Sequence, residues 1–78
     1  MAVAQVNTKL YSTRFCHLCE EAEEILHMAK ITAVKIDIAE DNNLFARYGL
    51  RIPVLKRVDN DAELDWPFDA GTVSRFLK

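Results

Sequence analysis

A chain of 78 residues is enough for one domain and no more, because domains usually need about 100 residues and rarely pair up below about 150. Half of the residues are hydrophobic and 28% are charged, and ten basic against twelve acidic side chains leave a net charge of −2. There is no basic excess to neutralise a phosphate backbone, which argues against general nucleic-acid binding. No apolar run approaches the roughly 20 residues that cross a bilayer, so no membrane span is expected. Met1 to Asn7 lacks a basic segment followed by an apolar one, so no secretory signal is expected and the cytoplasm is the expected location.

Met1 to Asn7 is expected to be a loose tail on a single domain that takes in the whole chain. Lys9 to Ser12 reads as a short strand, ended by the polar Ser12-Thr13-Arg14. Helical spacing follows: Leu18, Ala22, Ile25, Leu26 and Ala29 recur at steps of three and four, predicting a helix from about His17 to Lys30. Glu20, Glu21, Glu23 and Glu24 load its first half, where negative charge meets the positive end of the helix dipole. Ala33 to Ile38 alternates, with Val34, Ile36 and Ile38 on one face of a second strand. Asp41 or Asn42 caps a short helix whose apolar residues are Leu44, Phe45 and Tyr48, and Gly49 is placed to stop it with a left-handed backbone. Ile52-Pro53-Val54-Leu55 opens a third strand that ends near Val58. Asp59-Asn60-Asp61 is a turn, with Asn60 the best suited to a left-handed backbone. Ala62 to Trp66 returns as a fourth strand, and Pro67 or Asp69 begins a last helix carrying Val73, Phe76 and Leu77. The order βαβαββα predicts an α/β fold with a four-stranded mixed sheet and helices on both faces.

Two cysteines are too few for a disulfide-stapled miniprotein and too few for an all-cysteine zinc site. Their placement is the informative feature: Cys16-His17-Leu18-Cys19 is a spacing that two cysteines scattered at random over such a chain reach roughly one time in forty. It puts Cys16 at the start of a helix, where unpaired amides and the dipole favour a thiolate, the attacking species in thiol–disulfide exchange. Arg14, and His17 when protonated, push the Cys16 thiol pKa down, whereas Glu20 and Glu21 push it up. The amides touch the sulfur directly and the carboxylates are solvated, so a lowered pKa is expected. Cys19, one turn further in, is placed to resolve a mixed disulfide. Two alternatives stand beside this: a pair of small core residues, or a purely structural bridge closing a minimal loop. No metal is expected. His27 is too far along the helix to join Cys16, His17 and Cys19, and a zinc ion would lack a fourth ligand.

Strand one, the Cys-x-x-Cys that opens a helix, and Ile52-Pro53 opening strand three resemble the thioredoxin superfold. The length resembles a glutaredoxin. Leu10-Tyr11-Ser12, Cys16 to Ala22, Tyr48 to Leu55 and Leu64 to Phe68 are similar to the small glutaredoxin-like proteins of bacteria, and the likeness runs from about Thr8 to Lys78. The resemblance implies a thioredoxin-like fold and a thiol–disulfide oxidoreductase with Cys16 as nucleophile and Cys19 as resolving cysteine. It implies a cis-proline at Pro53, and at Ile52 a backbone that pairs with the cysteinyl backbone of the substrate. Asp69 matches an acidic residue near the amino end of bound glutathione; capping the last helix is its other reading. With Arg14 and His17 these complete the expected binding residues. Three positions depart from the usual glutaredoxin pattern. His17-Leu18 stands where Pro-Tyr is common, Thr13 replaces a lysine, and Asp65-Trp66 stand near the place of a Gly-Gly pair. The expected partner is a disulfide-containing protein or a glutathione-mixed disulfide, reduced by a monomer with no bound cofactor and with glutathione as the reductant. The rival function is a carrier of the same fold that holds an iron–sulfur cluster or glutathione with little redox turnover.

Overall fold

The structure is a computed structural model that describes residues 7–78. Most of the expected loose tail, Met1 to Asn7, lies outside the described residues; Asn7 itself accepts a hydrogen bond from Val58 N at 2.9 Å through its carbonyl. The elements in chain order are β1 (Thr8–Ser12), α1 (His17–Met28), β2 (Val34–Asp37), a 3-10 turn (Ile38–Glu40), α2 (Asn42–Tyr48), β3 (Val54–Arg57), β4 (Glu63–Asp65) and α3 (Ala70–Phe76). The sheet order is β2-β1-β3-β4, with β1 parallel to β2 and β3 antiparallel to both of its neighbours.

Strand side chains alternate between the two faces of the sheet, and the core divides accordingly. Leu10 and Leu55 point to one face and pack with Ala22 and Leu26 of α1, Phe68, and Val73 of α3. Tyr11 and Val54 point to the other, where Ile38 and Tyr48 cover them. The α1 stripe is led by Cys19, Ala22 and Leu26 rather than by Leu18, which is 44% exposed. Cys19 lies three residues before Ala22 and seven before Leu26, so it shares their face; Leu18 is turned about 100° away from Cys19.

The second strand stops at Asp37, one residue short of the prediction, because its carboxylate accepts from Ala39 N at 2.9 Å and caps the 3-10 turn. Val34 is exposed, since β2 is the sheet edge and the packed cluster reaches only Ile36 and Ile38. Phe45 is likewise exposed on α2, leaving Leu44 and Tyr48 to face the sheet. Gly49 does not take the expected left-handed backbone: its φ is −54°. A Cβ there would stand 2.6 Å from the Phe45 carbonyl oxygen, so the glycine is required by close approach. In the hairpin turn Asp61, not Asn60, has the positive φ of 58°. Asn60 acts through its side chain, which accepts from Ala62 N at 3.0 Å. Asp69, not Pro67, caps α3. At the far end of that helix the Arg57 guanidinium donates from Nη1 to the carbonyls of Phe76 (2.6 Å) and Lys78 (2.9 Å), while Asp59 accepts from Nε and Nη2.

Candidate active site

The pairing register brings four chain segments to one end of the sheet. Ser12 pairs with Asp37, Tyr11 with Val54, and Val54 with Asp65. The loop leading to Cys16, the 3-10 turn after Asp37, the Ile52-Pro53 segment and the chain from Trp66 to Asp69 therefore all meet the sheet at the same end.

The first loop is short and tied down. Thr13 Oγ1 donates to Asp37 Oδ1 at 3.1 Å. Arg14 is exposed, and Phe15 turns the chain with a positive φ of 56° while its ring is fully exposed. Cys16 is the N-cap of α1, with extended backbone angles (φ −99°, ψ 104°). Its carbonyl accepts from Glu20 N at 3.1 Å and its Sγ accepts from Cys19 N at 3.2 Å. The sulfur thus occupies the place a serine or aspartate oxygen takes in an ordinary cap. Cys16 is half-buried, and Cys19, one turn on, is 1% exposed. Their Cα atoms are 5.2 Å apart and the two sulfurs are at disulfide distance. His17 projects into solvent, with Nε2 3.6 Å from Glu21 Oε2.

The facing loop carries a cis Ile52-Pro53 bond, and Pro53 is buried. Ile52 N donates to the Tyr48 carbonyl at 3.0 Å, and Arg51 N donates to the same oxygen at 2.8 Å. Pairing of a substrate through the Ile52 N–H would first have to break that bond. Asp69 is exposed, and its Oδ1 accepts from Thr72 N (2.8 Å) and Thr72 Oγ1 (2.9 Å). The backbone bond first, then the hydroxyl, hold the Asp69 carboxyl below the usual carboxylate range. Trp66 is half-buried, packs against the core and meets Phe68 edge-on at 5.1 Å.

A polar network anchors the Ile52-Pro53 loop, and sequence reading missed it. Arg51 donates from Nε and Nη2 to both carboxylate oxygens of Asp65 (3.1 and 2.6 Å), and from Nη2 to Glu63 Oε1 (2.8 Å). Its guanidinium lies 5.2 Å from the Tyr48 ring centroid. Tyr48 Oη donates to Glu63 Oε2 at 2.5 Å, and the Tyr48 ring stacks on Tyr11. Hydrogen bonding to Arg51 holds the Asp65 carboxyl low; the Tyr48 hydroxyl, more than Arg51, does so for Glu63. The signal was present in sequence: Glu63 and Asp65 are two apart on one strand and so share a face. Among the described residues, no group of three or more His, Cys, Asp or Glu is placed to hold a metal ion. No helix among them is long and apolar enough to cross a membrane.

A mixed sheet of this order, with a Cys-x-x-Cys at the mouth of its first helix and a cis-proline loop at the same end, defines a thioredoxin-like fold. The Glutaredoxin-like domain (DUF836) matches residues 7–78, and the chain belongs to that family. Protein XcR50 from X. campestris, solved by X-ray crystallography, is 41% identical over 90% of this chain and 93% of its own, with a TM-score of 0.83. Its solution structure gives 40% identity over 91% of each chain and a TM-score of 0.76. Protein Ne2328 from Nitrosomonas europaea, solved by NMR, is 28% identical over 100% of this chain and 98% of its own, also with a TM-score of 0.83. No curated protein matches the chain.

Proposed function

We propose that the chain is a thiol–disulfide oxidoreductase that reduces protein or glutathione-mixed disulfides through Cys16 and Cys19. The observation that carries this reading is the Cys19 N–H donated to Cys16 Sγ at the helix start. A hydrogen bond to the charged form, together with the dipole end, favours a thiolate at Cys16. That thiolate attacks one sulfur of the substrate disulfide, and the other sulfur leaves as a thiolate that takes up a proton. Cys19 Sγ, after giving up its proton, attacks Cys16 Sγ and releases the second substrate sulfur as a thiol. Two electrons have passed to the substrate, and Cys16 and Cys19 are joined. Two equivalents of a thiol, with glutathione the proposed donor, restore the pair and close the cycle in a reducing cytoplasm.

Pro53 and Ile52 line the opposite side of the exchange, while the exposed Arg14 adds positive charge two residues before Cys16 and His17 follows it at the helix start. Asp69 holds the start of α3 where the third loop meets the site. The protein acts as a monomer and needs no bound cofactor. The test is a reduction assay with both substrate types, comparing the native chain with Cys16→Ser and Cys19→Ser. Cys16→Ser should abolish turnover with either substrate. Cys19→Ser should abolish reduction of protein disulfides and stall as a mixed disulfide, visible as an added mass. Turnover that survives Cys16→Ser overturns the assignment.

A further inference from the structure

Phe15 combines two costs at one residue. Its ring is fully exposed, so it contributes no packing to the fold. Its backbone is left-handed, with φ 56°, a conformation that L-residues with a bulky side chain avoid and glycine adopts freely. Neither feature serves stability, and the residue stands directly before Cys16. Leu18, between the two cysteines, is a second large apolar side chain left 44% exposed.

Resting on the redox reading above, we infer that Phe15 and Leu18 form an apolar rest for the residues flanking the target cysteine of a protein substrate, and so select protein disulfides with apolar neighbours over glutathione-mixed ones. The covalent geometry of the intermediate supplies the argument. In a mixed disulfide at Cys16 the two Cα atoms lie roughly 4.4–6.8 Å apart. Each further residue of the substrate reaches at most about 3.6 Å. The neighbours of the substrate cysteine are therefore held over the immediate surroundings of Cys16, which include the exposed Phe15 and Leu18 beside Arg14 and His17. Glutathione offers mainly charged ends there, and three polar groups at this rim already hold partners within the protein. Arg51 is held by Glu63 and Asp65, Asp69 by Thr72, and Thr13 by Asp37.

The chemistry is that of the proposed cycle, limited to one turnover. The pre-reduced protein gives two electrons to the substrate disulfide, which leaves as two thiols, and Cys16 and Cys19 become a disulfide. The test mixes pre-reduced protein with two disulfide-bonded peptides that differ only in the residues beside the attacked cysteine, Leu and Val in one, Ser and Gly in the other. Oxidised glutathione is the third substrate and bis(2-hydroxyethyl) disulfide the fourth. The apolar peptide is expected to react about tenfold faster than the polar one, the scale of a partly buried aromatic contact, and faster than oxidised glutathione.

Phe15→Gly should bring the ratio of the two peptides close to one and raise the melting temperature, because it relieves the left-handed backbone and removes no packing. Phe15→Asn, which also tolerates that backbone, should lower the ratio in the same way. A ratio unchanged in both variants, or wild-type reaction with oxidised glutathione as fast as with the apolar peptide, overturns the inference and leaves the redox reading standing. Failure of the wild-type protein to reduce even bis(2-hydroxyethyl) disulfide overturns both.

Discussion

Replacing Tyr48 with Phe keeps the ring that stacks on Tyr11, with centroids 4.3 Å apart and planes 12° from parallel, and removes only the hydroxyl donated to Glu63. A hydrogen bond to a charged acceptor contributes about 1.5–3 kcal/mol. Glu63 keeps Arg51 as a second partner and its side chain is 24% exposed, which points to the lower end, about 1.5 kcal/mol at neutral pH. For a domain of this size that corresponds to a melting temperature about 6–12 °C lower. The pH dependence gives a sharper check. Burial first, and the bond to Glu63 second, push the Tyr48 hydroxyl up to about 12. An unfolded tyrosine ionises near pH 10, so between those values the unfolded chain has lost a proton that the folded chain keeps. Wild-type stability must then fall as pH rises, at about 1.4 kcal/mol per pH unit through that window. The Phe variant has no such proton to lose. The gap between the two proteins should close above about pH 10 and reverse by about pH 12, since the Glu63 titration that the lost hydroxyl also alters lies far below this window. Urea unfolding followed by circular dichroism, at neutral pH and at two points in the alkaline window, measures this. A gap that stays constant with pH, or is below about 0.5 kcal/mol at neutral pH, would refute the reasoning.

Two substitutions test the ends of the elements around the site. Gly49→Ala has a backbone that alanine tolerates, where such a change usually stabilises by about 0.4–1 kcal/mol; here the Phe45 carbonyl 2.6 Å from the new Cβ reverses the sign. Denaturation should show a loss of about 1–3 kcal/mol, and a gain would mean that the end of α2 yields freely. Ser12 is fully buried at the end of β1, and its hydroxyl has no hydrogen-bond partner among the described residues. Ser12→Ala should therefore leave stability unchanged or raise it by up to about 1 kcal/mol, whereas a loss of that size would show that the hydroxyl is bonded, for instance to a buried water.

The element order, and most boundaries to within two residues, were legible in the sequence because the apolar periods are clean. The Leu10/Tyr11 and Val54/Leu55 alternations each serve two cores, one per face. The reading failed where a side chain rather than a period decided the outcome. Asp37 ends its strand by capping a turn, and Asn60 shapes its turn through its amide, leaving the left-handed position to Asp61. Leu18 and Phe45 obey helical spacing but face solvent, because a stripe shows which residues share a face without fixing its centre. The cysteine pair and Ile52-Pro53 were visible as local motifs. The Arg51 network was only half visible: the spacing of Glu63 and Asp65 marks their shared face, but no local pattern marks Arg51, across a loop at a helix end, as their partner. Nor does any spacing rule announce that the residue before Cys16 must bend left-handed.

The short last helix has a consequence for how the molecule comes apart. Two turns of helix do not persist alone in water. This one is fastened at both tips by ionised groups, Asp69 at the front and the Arg57–Asp59 pair behind. Both carboxyls are depressed, Asp69 mainly by the Thr72 amide and Asp59 mainly by the Arg57 guanidinium. Their contribution is complete above the ordinary carboxylate range and is lost as acid protonates them. Acid below the ordinary carboxylate range should therefore peel this segment away while the longer, apolar-seated first helix stays docked. The single indole of the chain, Trp66, packs against the core cluster to which Val73 of that helix belongs and would report the event as a fluorescence change preceding the loss of the first helix.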